Sequence, residues 1–225
     1  INLIMDIKLL YKQIDKLDPK QVSKKLALFL KEDVPAGDAT TDNVVLKDTQ
    51  EVFIIKSREP MVFCGNPIIK NIFSSRVKIK TMVKDGQMLL SGETIAIASG
   101  SNSEILTKER LLLNMIQRMS GVSTMTNKYV KKLNNNQIKV LDTRKTTPGL
   151  RMFEKYAVFC GGGSNHRLNL SSGIMVKDNH INKITDKIVN QLTNVSPKLP
   201  IQFEIDNFKQ INHQNVSLVD AFLLD

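Results

Sequence analysis

The second half of this chain repeats one arrangement: a short apolar run, a charged side chain at its end, then a stretch long enough for a helix. Lys177 follows the run GIMV, Glu204 follows IQF, and Asp225 follows AFLL. Arg144 follows the run IKVL after two intervening residues, Asp142 and Thr143. Strands separated by helices pair in parallel, so their C-terminal ends share one rim, and such folds place ligand-binding side chains there. The pattern therefore gathers Arg, Lys, Glu and Asp around one pocket, as a site for an anionic substrate with a metal ion nearby requires. The elements read as strands at 137–142, 173–177, 201–205 and 218–224, with helices at 149–159, 181–192 and about 207–214. Four strands are too few to close a β/α barrel. The chain ends on a strand, so further C-terminal strands are expected. It begins with Ile rather than Met, so residues are expected upstream too.

The first hundred residues follow a different pattern. Residues 5–31 read as helical in two pieces, with Asp18-Pro19 as a helix start because Pro is favoured at the first helical position. EDVPAGDATTD (32–42) reads as a loop, and its acids, like those of the Asp85-Gly86 turn, as surface loop chemistry. Strands are expected at 51–57, 77–83 and 94–98, separated by turn signals. Residues 104–133 read as a helix with Leu106, Leu113 and Ile116 on its apolar face. Gly121 marks a break or a close approach there. The expected organisation is thus an α+β domain over 1–104 and a β/α domain over 105–225.

The net charge of +10 raises nucleic acid as a partner. The lysines, however, are spread along the chain and few aromatics interleave with them, so a solvated surface is the better explanation. Five of the seven arginines lie within residues 110–167. Arg grips carboxylate or phosphate with a planar fork that Lys lacks, so this clustering points to a small anion. No apolar stretch approaches a membrane span. The two cysteines, Cys64 and Cys160, form no metal-type or redox-type spacing and read as reduced thiols of a cytoplasmic protein.

Three segments carry candidate chemistry. TRKTTPG (143–149) offers two cations, Arg144 and Lys145, and three hydroxyls, beginning with Thr143, to an anion; an ordinary strand-to-helix loop explains it equally well. GGGSNHR (161–167) places three costly glycines where backbone approaches a ligand or a helix closely, and adds His166 and Arg167 as donors. A ligand site is favoured over a linker there. In VKDNH (176–180) Lys177 is a candidate anion ligand, whereas His180 reads as a helix cap. Glu204 and Asp225, the carboxylates at strand ends, are the candidate Mg²⁺ ligands, since one or two carboxylates shared with substrate phosphates commonly hold that ion.

Read together, EDVPAGDATTD (32–42), LTKERLLLNMIQRMSGVST (106–124), LDTRKTTPGLRMFEKYAVFCGGGSNHR (141–167), IMVKDNHI (174–181), FEID (203–206) and LLD (223–225) resemble the quinolinate phosphoribosyltransferase family over nearly the whole chain. The resemblance implies an N-terminal α/β sandwich followed by an incomplete β/α barrel of the phosphoribosyltransferase type. It implies transfer of phosphoribosyl from phosphoribosyl pyrophosphate to quinolinate with decarboxylation, in the de novo route to NAD. Arg110, Arg144, His166, Arg167 and Lys177 would surround the quinolinate carboxylates. Lys145, Lys177, Glu204 and Asp225 would serve the phosphoribosyl donor and its Mg²⁺. The family's site lies at a homodimer interface, with the arginine matching Arg110 supplied in trans. The pyridine nitrogen is itself the nucleophile, in keeping with the lack of any Ser or Cys nucleophile motif. Family members continue beyond Asp225 with further strands and a glycine-rich phosphate-binding turn. Two other readings stay open: a molybdenum-associated relative with another acceptor, and a non-catalytic basic protein that binds nucleic acid with steep salt dependence.

Overall fold

Asp18 begins the first helix as its sequence requires: its carboxylate accepts from the Lys20 N–H at 3.0 Å, and Pro19 occupies the first turn. In the computed structural model, which describes residues 10–44, 48–135, 137–177, 191–192, 194–195, 198–211 and 216–224, this helix, α1, spans Pro19–Asp33. Residues 10–18 are not helical, contrary to expectation. The expected loop at 32–42 instead contains the start of a short helix, α2 (Ala39–Val44). Asp38 caps it, accepting from Thr40 N–H (3.2 Å), Thr41 N–H (3.0 Å) and the Thr41 hydroxyl (2.6 Å).

There follow β1 (Gln50–Lys56), β2 (Met61–Val62), α3 (Asn66–Ile72), β3 (Val77–Thr81), β4 (Met88–Leu89), β5 (Thr94–Ser101) and the long helix α4 (Asn102–Leu133). Strands β1 and β3 flank β5 in an antiparallel sheet, and β2 pairs with β4. The buried face of α4 carries Ile105, Leu112, Ile116 and Met119, which recur at helical spacing. Leu106, expected on that face, is exposed. The helix runs unbroken through Gly121, and nothing approaches within 4 Å of where its Cβ would lie. Gly121 thus marks neither a break nor a close contact.

The chain divides into two compact units, one of residues 13–142 and 146–164, the other of residues 1–12, 143–145 and 165–225. In the larger unit, Val22, Leu26, Phe63, Ile68, Leu89, Ile95, Met119 and Phe153 belong to one buried core. Helix α5 (Arg151–Cys160) joins that core through Phe153, Tyr156 and Ala157. It starts two residues later than expected because Gly149 takes a left-handed φ of +83°, which no helical residue adopts. The expected strand 137–142 is reduced to one parallel bridge, Leu141 to Ser164. The bridge is closed by Ser164 N–H donating to the Val140 carbonyl (2.8 Å) and Asp142 N–H to the Ser164 carbonyl (3.0 Å).

Glu104 is a buried hub of this unit. Its carboxylate accepts from Ser74 N–H, the Ser74 hydroxyl and Lys108 Nζ, each at 2.7 Å, and faces Arg76 Nε at 3.3 Å. Burial by itself would raise its pKa; the hydrogen bonds from Lys108 and Ser74 outweigh burial and hold it at about 2, against an ordinary 4.5. A carboxyl depressed in the folded state stabilises fully above its unfolded pKa, and that stabilisation is lost as pH falls through the folded value. Unfolding measured against pH is therefore expected to show an acid-side loss between about pH 4.5 and pH 2 that Glu104→Gln reduces. An identical acid limb in that variant would contradict the assignment.

The smaller unit holds a parallel sheet of β6 (Ile174–Val176), β7 (Ile201–Ile205) and β8 (Ala221–Leu224), in that order. Val176, Ile201 and Phe203 form its core, with Leu192, Val219 and Phe222 packed against them. The parallel strands at 201–205 and near 174 and 221 were expected. The helix expected at about 207–214 is a 3₁₀ turn over Phe208–Gln210; residues 212–215, and most of the helix expected at 181–192, lie outside the described residues.

Candidate active site

Parallel pairing decides which strand-end residues meet. Val176 stands opposite Phe203, so Lys177, just past β6, and Glu204, the penultimate residue of β7, lie at the same level. Lys177 Nζ lies 3.5 Å from Glu204 Oε1, with Lys177 half-exposed and Glu204 largely covered. Glu204 in turn stands opposite Leu223 of β8. Asp225, expected to complete this rim, lies outside the described residues, as does His180. Glu204 Oε2 takes part in no hydrogen bond among the described residues. A hard oxygen donor beside a cationic amine suits Mg²⁺ shared with substrate phosphates, which keeps most of its ligands as water and phosphate oxygen.

Arg167, a candidate donor to the substrate, is buried, at 8% exposure, with Nη1 donating to the Gly173 carbonyl (3.2 Å) and Nη2 directed at Met175 Sδ (3.4 Å). The reason is local: the segment after Ser164 runs alongside the start of β6, so the guanidinium meets backbone there. His166 is half-buried, its ring 4.6 Å from that of Tyr11 at an interplanar angle of 47°. The Tyr11 hydroxyl donates to Gln202 Oε1 at 2.9 Å, and burial, opposed by the Arg167 charge, pushes its pKa up. Neither Tyr11 nor Gln202 stood out in the sequence. Tyr11 lies in a stretch that reads as helix, and only the folded chain places it on His166.

In the segment from Thr143, the Thr143 hydroxyl accepts from Lys145 N–H at 3.0 Å; Thr143 and Lys145 are exposed and Arg144 is half-buried. The other two hydroxyls are engaged within the larger unit. Thr147 accepts from Arg118 Nη2 at 2.9 Å, and Thr146 from Arg151 Nε at 3.1 Å. Arg118 also grips Glu154 through Nε (2.9 Å) and Nη2 (2.7 Å). Burial would raise the Glu154 pKa, but hydrogen bonds from Arg118 and Thr147 lower it on balance. Two of the five clustered arginines are therefore tied into the larger unit.

The triple glycine has a similar explanation. A Cβ on Gly161 would lie 2.4 Å from the Ser123 carbonyl oxygen, and one on Gly163 2.8 Å from Thr126 Cγ2. Both glycines exist so that the end of α5 can lie against α4. The ligand reading of GGGSNHR thus falls to His166 and Arg167 alone. Arg110 projects from α4 of the larger unit, exposed and without a hydrogen bond or ion pair among the described residues.

Comparison with known proteins accords with this arrangement. Residues 38–120 match the N-terminal domain, and residues 122–225 the C-terminal domain, of quinolinate phosphoribosyl transferase. A probable nicotinate-nucleotide pyrophosphorylase [carboxylating] of Bacillus subtilis is 41% identical over 211 residues, which is 91% of this chain and 73% of that protein. The nicotinate-nucleotide pyrophosphorylase [carboxylating] of Mycobacterium leprae is 35% identical over 87% of this chain and 72% of its own length. The solved nicotinate-nucleotide pyrophosphorylase of Francisella tularensis superposes with a TM-score of 0.87 at 33% identity, covering 95% of this chain and 78% of the other. NadC of Streptococcus pyogenes gives 0.86 at 36% identity, over 93% and 76%. By its two domains and its relatives, the chain belongs to the quinolinate phosphoribosyltransferase family.

Proposed function

We propose that this chain transfers phosphoribosyl from phosphoribosyl pyrophosphate to quinolinate and decarboxylates the product. The reaction yields nicotinate mononucleotide, pyrophosphate and CO₂ for de novo NAD biosynthesis, in the cytoplasm and in a homodimer. The observation that carries the reading is the cation and carboxylate side by side at the ends of neighbouring parallel strands, Lys177 and Glu204 at 3.5 Å.

The chemistry needs these two charges. The pyridine nitrogen attacks the anomeric carbon as the bond to pyrophosphate breaks, so positive charge grows on the ribose and negative charge on the leaving group. Glu204 faces the cationic ribose while Lys177 and Lys145 stabilise the departing oxygens. Arg144, His166 and Arg167, with Thr143 as a further donor, fix the dicarboxylate in line with the anomeric carbon. The ring nitrogen becomes cationic on ribosylation, which stabilises the electron pair left when the adjacent carboxylate departs as CO₂. Mg²⁺ held by Glu204 and Asp225 would neutralise charge on the pyrophosphate. The deciding experiment is incubation of the purified protein with both substrates and Mg²⁺, with nicotinate mononucleotide expected. Pyrophosphate release only with another acceptor would replace quinolinate in the reading.

Glu204→Gln is expected to shift the Mg²⁺ response more than quinolinate affinity, in separate titrations. Lost quinolinate binding at an unchanged metal response would move Glu204 to the other side of the pocket. Arg110 acts from the partner subunit in this scheme, as an arginine finger does. Inactive Arg110→Ala and Lys177→Ala chains, unfolded, mixed and refolded, are expected to regain part of the activity, because a mixed dimer holds one site with both native residues. If dimers of confirmed mixed mass stay inactive, Arg110 does not work in trans.

A further inference from the structure

The two cysteines lie far apart in sequence, yet the fold brings them together. Cys64 follows β2 and Cys160 ends α5. Their sulfur atoms and a carboxylate oxygen of Asp85 all lie within 4.8 Å of one another. Cys64 is fully buried, while Cys160 and Asp85 are half-buried. The Asp85-Gly86 turn sits directly on the end of α5: a Cβ at Gly86, whose φ is +84°, would lie 3.0 Å from the Cys160 carbonyl oxygen.

The carboxylate is held in place on three sides. Asp85 Oδ1 accepts from the N–H groups of Gly65 (2.8 Å) and Asn66 (3.0 Å), and Oδ2 from the Tyr156 hydroxyl (2.7 Å). A carboxylate offers about four acceptor positions, so one is left, on Oδ2. Among the described residues, no Lys, Arg or His forms an ion pair with Asp85. Burial first, then the neighbouring Cys160 and Asp85, push the Cys64 thiol up. The cluster is therefore rich in donor atoms and lacks a positive charge.

We propose that Cys64, Cys160 and Asp85 form a site for one thiophilic divalent cation of the Zn²⁺ type, with a fourth position open to water beside half-buried Cys160. Tetrahedral zinc with bonds of about 2.3 Å to sulfur and about 2.0–2.2 Å to oxygen sets its ligand atoms roughly 3.4–3.8 Å apart, within the observed span. Two sulfur donors select against the hard Mg²⁺ assigned to Glu204. The Tyr156 hydroxyl is the outer contact that orients the ligating carboxylate. As each metal–sulfur bond forms, the thiol releases its proton to solvent, two protons per cation, with no change of oxidation state. The bound ion would tie the end of α5 to the turn after β3 and to the start of α3.

The test titrates the reduced, metal-free protein with Zn²⁺ against a chromogenic chelator, and with Co²⁺ for the thiolate-to-cobalt charge-transfer band. One equivalent of zinc, release of about two protons, a charge-transfer band and a raised melting temperature are expected. Cys160→Ser is expected to weaken zinc by about tenfold or more and to diminish the band. It replaces a half-buried side chain with one of similar size and so keeps the test valid if Cys64→Ala does not fold. Glu204→Gln is expected to leave zinc binding unchanged, which separates this site from the transfer reaction. The proposal is overturned if the reduced protein shows no thiolate–cobalt band, if Cys160→Ser binds zinc as the unaltered chain does, or if the pair closes to a disulfide in air while the reduced form takes up no metal.

Discussion

Lys155→Ala is expected to lower stability by about 3–5 kcal/mol, the cost of leaving a buried charge without its partner. Lys155 is 1% exposed as a side chain and its Nζ contacts Asp142 Oδ1, itself 5% exposed. Alanine leaves the Asp142 carboxylate in the interior without its ammonium partner. The comparison is a urea transition, in which the midpoint falls at constant slope. Replacing both partners, Lys155→Met with Asp142→Leu, is expected to restore much of the loss, since apolar groups of similar size often serve as well as a buried pair. A loss below about 1 kcal/mol in Lys155→Ala, the range of an exposed pair, would show that the pair is solvated.

Lys177→Ala is expected to lower kcat/KM by the equivalent of about 2–5 kcal/mol, with the melting temperature little changed. The first figure is what a charge-assisted contact to a desolvated anion contributes; the second follows from a side chain that is 49% exposed. Arg167 needs a different variant. Its guanidinium supports the Gly173 carbonyl, so Arg167→Ala would mix a loss of fold with a loss of binding. Arg167→Lys keeps the charge and removes the planar fork. Quinolinate KM is expected to rise in Arg167→Lys while the response to phosphoribosyl pyrophosphate changes less. Near-normal turnover in both variants would remove Lys177 and Arg167 from the site.

Much of this arrangement was legible in the sequence. A strand written as an apolar run with a charged end fixes which residue emerges at the rim, so Lys177 and Glu204 were placed before any pairing was known. Asp18-Pro19 fixed the start of α1 because capping needs only local backbone. The long connections between the apolar runs fixed parallel pairing, because strands so joined do not form hairpins.

What the sequence could not supply were contacts between residues distant along the chain. The glycines of 161–163 carry no mark that says helix rather than ligand; only the 2.4 Å between a Cβ on Gly161 and the Ser123 carbonyl decides it. Arg118 and Arg151 look like anion ligands until Glu154, Thr146 and Thr147 are seen to take them. Tyr11 reads as helix because local pattern cannot foresee His166 and Gln202. Asp85 reads as surface because its partners Gly65, Asn66 and Tyr156 meet it only after folding. The sequence by itself determined the start of α1, the parallel strands near 174, 201 and 221 and the charges beside them, since these depend on neighbours along the chain. Tertiary structure alone decided which arginines are tied into the fold and that the two cysteines lie beside Asp85, because burial and partner choice depend on neighbours in space.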